Sequence, residues 1–194
     1  MSTISASTTS STAYVVSADT TGALVLQTGA TPTTAVTIDA SQNITTANRF
    51  AKASMPAGSV LQVVNATFAT QINTSSATYS DTGLTVSITP TSATSKIMCF
   101  VNMVGTGKDT ANGWVSFRLL RGATSIIIFE YQAGWTNSTA SNGSGACSTS
   151  FLDSPATTSA TTYKVQYSNP PAAGNAYAQL GNSTSTITLM EIAV

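Results

Sequence analysis

Few residues in this chain could carry acid–base, nucleophilic or metal chemistry. The acids are Asp19, Asp39, Asp81, Asp109, Glu130, Asp153 and Glu191, the thiols are Cys99 and Cys147, and there is no histidine. Without an imidazole, Ser-His-Asp and Cys-His arrangements are excluded. Two cysteines alone do not make a zinc site. Glycoside hydrolysis needs two carboxyl groups about 5–9.5 Å apart, yet these acids are scattered. Asp81 before Gly83 and Asp109 before Asn112 read as turn residues. No phosphate loop, dinucleotide fingerprint or calcium loop occurs. The expectation is a non-enzymatic chain with no catalytic residue, metal or cofactor.

One loop has the chemistry of recognition. Gln132–Ala146, "QAGWTNSTASNGSGA", is long, small and polar around a lone Trp135. An indole among amides and hydroxyls can stack on a sugar while its neighbours bond the sugar hydroxyls. Trp135, Asn137 and Asn142 are the candidate contacts to a host-surface glycan. The alternative is that Trp135 plugs the end of the fold. Asn-x-Ser/Thr sequons at Asn43, Asn65, Asn73, Asn137, Asn142 and Asn182 are expected by chance in so Ser/Thr-rich a chain.

The elements that position this loop follow from composition. Of 194 residues only 7% are charged, against roughly 25% in an average globular chain. Ser and Thr make up about a third of the chain, well above ordinary usage. Hydrophobics at 42% are nearly normal, so the chain folds. Its polar surface is built of hydroxyls and amides, and β-branched Thr suits strands. With Lys+Arg 7 against Asp+Glu 7, there is no basic footprint for nucleic acid. No window approaches a membrane span, and "MSTISASTTSSTAYVV" lacks the pattern of a secretory signal. A surface with so little charge invites association, so its faces are expected to be covered by copies of the chain or by a larger assembly. The two cysteines read as buried thiols, with a disulfide left open.

Periodicity predicts an all-β chain. Residues 1–50 hold short strands at Ala23–Gln27 and Ala35–Ile38, with a third piece at Asn43–Thr46. A helical turn over Thr46–Ser54 and the Pro56/Gly58 break make 51–59 a linker. Residues 60–194 read as about nine strands in an antiparallel β-sandwich, a jelly roll being the first choice. The strands are Val60–Phe68, Leu84–Thr89, Lys96–Val104, Trp114–Arg121, Ser125–Tyr131, Ala146–Leu152, Thr162–Ser168, Ala176–Leu180 and Thr186–Ala193. In "GLTVSITP" Leu84, Val86 and Ile88 point one way and the hydroxyl residues the other, as a strand with one wet face requires.

Three segments break that rule. In the hairpin "WVSFRLLRGATSIIIFEYQ", pairing Arg121 with Ser125 sets Leu119 opposite Ile127, Phe117 opposite Phe129 and Val115 opposite Tyr131 on the core face. The other face carries Leu120, Ile126 and Ile128 around Arg118 and Glu130, which become diagonal neighbours. "KIMCFVNMV" and "TITLMEIAV" are also apolar on both faces. The outer face of a two-layer sandwich should be wet, so Arg118, Leu120, Ile126, Ile128 and Glu130 are the expected subunit interface, a covering loop being the alternative. In the N-terminal part, Leu24, Leu26, Val36 and Ile38 alternate thinly and supply too little apolar area for one copy to fold alone. They are the expected anchor.

The N-terminal stretch, with "TGALVLQT" followed by "TAVTIDASQNIT", resembles small fibre-like and decoration-type virion surface proteins of bacteriophages. "PAGSVLQVVNATFAT" through "YSDTGLTVSITPTSATSKIMCFVNM" resembles the β-sandwich that follows in them. The resemblance covers most of residues 1–104 and weakens toward the end. It implies a structural protein on the virion surface, made in the bacterial host cytoplasm, trimeric, and joined to capsid or tail proteins through residues 1–50. A head or tail fibre touching the host is the first expectation, a capsid cement protein the second, and a glycan-degrading tailspike, disfavoured by the missing acid pair, the third. The chain departs from long fibres in having no repetitive shaft.

Overall fold

The computed structural model describes residues 23–28, 33–46, 55–138 and 140–194. The chain divides into two compact units, Met1–Ala51 and Lys52–Val194. In the first unit β1 (Leu24–Thr28), β2 (Thr33–Ile38) and β3 (Ile44–Thr46) form a three-stranded sheet in that order. Of the helical turn expected over Thr46–Ser54, Thr46 closes β3 and residues 47–54 lie outside the described residues.

The second unit is an antiparallel β-sandwich. Its strands are β4 (Val60–Phe68), β5 (Ile72–Thr74), β6 (Ser80–Ile88), β7 (Lys96–Lys108), β8 (Val115–Arg121), β9 (Thr124–Ala133), β10 (Asn142–Asp153), β11 (Thr161–Ser168), β12 (Ala176–Ala178) and β13 (Ser185–Ile192). One sheet has six strands in the order β4-β13-β7-β12-β5, with β10 on the other edge of β7; the second has four, β6-β11-β8-β9. Gly58 and Ser59, expected as linker, continue the β4–β13 ladder through Gly58 N–H to Ala193 O and Ala193 N–H to Ser59 O.

The core lies between the sheets. Leu84 and Ile88 of β6, Phe117 and Leu119 of β8, and Tyr163 and Val165 of β11 meet Ile97, Cys99, Val101 and Met103 of β7 and Ile187 and Leu189 of β13, all nearly fully buried. Removing such side chains from water is the main driving force, about 1.5–3 kcal/mol for each large one. The alternation read in β6 holds: Leu84 and Ile88 are buried, and Thr85 and Ser87 are exposed. One glycine is required by close approach. Gly105, at φ +61°, turns β7 where Gln179 N–H bonds Val104 O, and a Cβ there would strike the backbone of Leu180.

Both cysteines are free and buried. Cys147 lies opposite Met103 and Cys99 opposite Phe151. The four-residue offset separates the thiols by about 13 Å along the ladder, beyond the roughly 7 Å Cα reach of a disulfide. Burial, then the nearby Asp153 charge, pushes the Cys99 thiol up to about 12.

Candidate functional site

Among the described residues, the acids are each held by donors. Asp153, 6% exposed, accepts from Arg121 Nη1 at 2.8 Å and from the Tyr163 hydroxyl at 2.6 Å. Glu191, fully buried, accepts from Thr91 N–H and Oγ1, each at 2.6 Å, and from Gln62 Nε2 at 2.5 Å. Burial opposes its charge, but these bonds outweigh that cost and hold Glu191 below the usual glutamate range. Register puts Asp153 and Glu191 on either side of Ile97, about two strand spacings or 10 Å apart. A glycosidase acid must instead be kept protonated. Asp81 pairs with Lys164 at 2.9 Å and accepts from Gln166 at 2.7 Å. Asp109 gathers Asn175 N–H, Asn175 Nδ2 and the Tyr177 hydroxyl at 2.6, 2.7 and 2.9 Å. Among the described residues no group of three His, Cys, Asp or Glu side chains converges to hold a metal.

The expected interface residues are resolved differently by the fold. Three register shifts between β8 and β9 place Phe117 opposite Glu130, Arg118 opposite Ile128, Leu120 opposite Ser125, Arg121 opposite Thr124 and Val115 opposite Ala133. Only Leu119 opposite Ile127 keeps the expected pairing. Phe117 and Phe129 still stack in the core, with centroids 5.9 Å apart. Arg118 and Glu130 do not pair. Arg118 donates through Nε and Nη2 to Gln166 Oε1 at 2.9 and 2.6 Å and lies 4.1 Å from the Tyr79 ring centroid. Glu130 accepts from Tyr131 N–H and Gln132 N–H, each at 2.9 Å. The bulges bring that backbone to the carboxylate and carry it out of the guanidinium's reach. Leu120 is only 3% exposed in a single chain, Ile126 is half-buried, and Ile128 is 52% exposed. One chain thus buries Leu120 and leaves Ile128 about half exposed.

The loop expected to meet a glycan runs from the end of β9 to Asn142, the first residue of β10. Trp135 is 48% exposed and Asn137 is exposed; the Asn142 side chain lies outside the described residues. Trp135 is thus covered over about half its surface. Trp114, half-buried, lies 6.5 Å and 53° from the Tyr131 ring. Tyr131, itself 54% exposed, adds a second aromatic surface that sequence reading assigned to the core hairpin. The loop is fastened from below. Buried Lys108 donates through Nζ to Thr136 O at 3.0 Å and Thr136 Oγ1 at 2.5 Å, and Asn112 N–H bonds Thr136 O. Lys108 gave no sequence signal, because its partner is a backbone carbonyl 28 residues away.

The expected anchor residues share one face of the first unit. Leu24 lies opposite Ile38 and Leu26 opposite Val36, and Ile38 also lies opposite Ile44. Asp39 shapes the β2–β3 turn by accepting from Ser41 N–H and Asn43 N–H at 2.9 Å and from Asn43 Nδ2 at 3.0 Å. Leu26 and Ile44 are 46% and 66% exposed, so three strands do not cover their own apolar face.

Neither a family model nor a curated protein matches this sequence. Among solved structures, one that is similar is the crystal structure of the infectious bursal disease virus VP2 subviral particle, at 13% identity and a TM-score of 0.39. The match covers 68% of this chain and spans 32% of that one.

Proposed function

We propose that this chain is a non-enzymatic structural protein of a bacteriophage virion, a short homo-oligomeric fibre on the head or tail. Residues 1–50 attach it to the particle, and the sandwich projects toward the host. The observation that carries this reading is the unequal finish of the two units. The sandwich completes a core of its own. The small sheet aligns Leu24, Leu26, Val36 and Ile38 on a face it leaves half-covered, which suits a segment that finishes folding against a socket or sister chains.

The sandwich is read as a jelly roll. After β5 the chain changes sheet at each connection except the β8–β9 hairpin and the β12–β13 step, which supports that topology. Trp135, half exposed on a loop that a lysine fastens from below, supports contact with a neutral surface glycan. Tying up the buried acids as hydrogen-bonded carboxylates argues against glycan cleavage.

The test is electron microscopy of phage particles carrying a gold-labelled tag after Val194. Tens of labels at the tail tip or on head vertices support a fibre. Hundreds of labels over the head would make the chain a cement protein. Particles without label would overturn the virion assignment.

A further inference from the structure

The fold separates the segments that read as apolar on both faces. The β8–β9 hairpin lies in the four-stranded sheet, whereas β7 and β13 are neighbours in the six-stranded sheet. Their outward residues add up. Register sets Val63 of β4, Met190 of β13, Met98 of β7 and Leu152 of β10 in one row across four strands. Phe100 lies two residues along β7 from Met98, and Ile192 two residues beyond Met190. Val63, Leu152 and Phe100 are 53%, 49% and 43% exposed. A sandwich face of this kind is normally polar, and a contiguous apolar patch marks a contact surface.

From this we infer that the outer face of the six-stranded sheet is where a second copy of the chain seats; the inference rests on the proposed homo-oligomer and assigns its contact surface. Three observations favour a copy over other occupants. The one charged residue in the described register of this face, Lys96, is tied to Ser154 Oγ at 2.7 Å, so a charged partner finds little to grip. Beside the apolar row lies a shallow trough of about 450 Å³ lined by Phe100, Asn102, Ser148, Ser150, Thr186 and Thr188. Hydroxyls and amides are donors and acceptors at once, so an uncharged surface of the same composition complements them. A sugar in that trough would leave Val63 and Leu152 uncovered.

Area sets the arrangement of the copies. Four strands at about 4.8 Å and seven residues at about 3.4 Å give a projected face of roughly 450 Å². One such contact falls short of the roughly 800 Å² per partner of a standard interface. In a closed ring each copy makes two contacts and buries about twice as much.

The experiment is sedimentation velocity on the full chain, comparing wild type with Val63→Lys, Leu152→Lys and Ile128→Lys. All three positions are about half exposed in one chain, so each lysine is solvated in an isolated subunit. Circular dichroism reports whether each variant keeps its β-signal, and two sites on different strands guard against a misfolded single variant. Wild type is expected at a multiple of 19.8 kDa. Val63→Lys and Leu152→Lys should each fall to the single-chain mass, while Ile128→Lys stays assembled. An oligomer that survives both lysines overturns this face and leaves the homo-oligomer standing. Dissociation by Ile128→Lys alone moves the contact to the four-stranded sheet and overturns it too. A monomeric wild type overturns the homo-oligomer itself, and if Val63→Lys then reduced retention on particles, the face would belong to another virion protein.

Discussion

Arg121 of the four-stranded sheet holds Asp153 of the six-stranded sheet: its Nη1 lies 2.8 Å from each carboxylate oxygen. Asp153 is 6% exposed and its other partner is the Tyr163 hydroxyl. Arg121→Ala therefore leaves a buried carboxylate with one neutral donor. The expected cost is about 2 kcal/mol, that of a charged hydrogen bond and below that of breaking a fully buried pair, because Arg121 is itself partly exposed. Urea unfolding checks this, and an unchanged midpoint would show that the sheets do not depend on the pair.

Asp109 gives the chain an acid dependence. Bonds from Asn175 N–H, then from the Asn175 and Tyr177 side chains, lower its carboxyl to about 2. A group with a depressed folded pKa contributes stability above its unfolded pKa, about 3.9, and loses it as pH falls through the folded value. Wild type should therefore lose stability between about pH 4 and pH 2, and Asp109→Asn should be less stable at pH 7 with a flatter profile over that window. Thermal melts from pH 7 to pH 2 read this. Parallel profiles for the two proteins would contradict it.

Gly105→Ala should destabilise the sandwich by about 1–3 kcal/mol. The residue sits at φ +61° with the Leu180 backbone where a Cβ would go, so both strain and a clash follow. Gly122, at φ +57° with open space around it, provides the comparison: Gly122→Ala carries the strain alone. Equal melting temperatures for the two variants would rule out the close approach at Gly105.

Both thiols should be slow to react in the folded chain and reactive once it unfolds. Burial leads the upward shift of each, and only the thiolate is nucleophilic. Mass spectrometry after alkylation in denaturant, without reductant, should find two added groups. An unmodified mass lower by about two protons would mean a disulfide, which the register forbids.

Trp135→Ala should weaken binding to host cells and leave assembly intact, because the indole is half exposed. Cell-binding and sedimentation assays on the same preparation separate the two effects. Normal cell binding, or failure to assemble, would remove the loop from recognition.

Much of the fold was legible from local pattern. Alternation in Leu84–Ile88 announced which side chains turn inward, and the burial of Leu84 and Ile88 follows it. Glu191 was not legible as a buried, bonded acid, since Gln62 lies 129 residues away. β5 was missed because Ile72–Thr74 is three residues long in a polar stretch. The β8–β9 register was missed because bulges leave no mark in composition, and each shifts every later pair by one. Most consequential was the sheet to which each two-faced strand belongs. Pairing β7 with β13 joins segments about 90 residues apart, and only that pairing turns Met98 and Met190 into neighbours. The apolar excess was visible in the sequence, and its location was set by non-local topology.

The most direct test of the central claim, that the first unit attaches and the sandwich projects, is quantification of the chain in purified phage particles. A full-length tagged copy is compared with one lacking residues 1–50, each supplied during infection. The account predicts full-length chain in the particles and the shortened chain folded but left in the supernatant. Equal incorporation of the two, or absence of the full-length chain from particles, would contradict it.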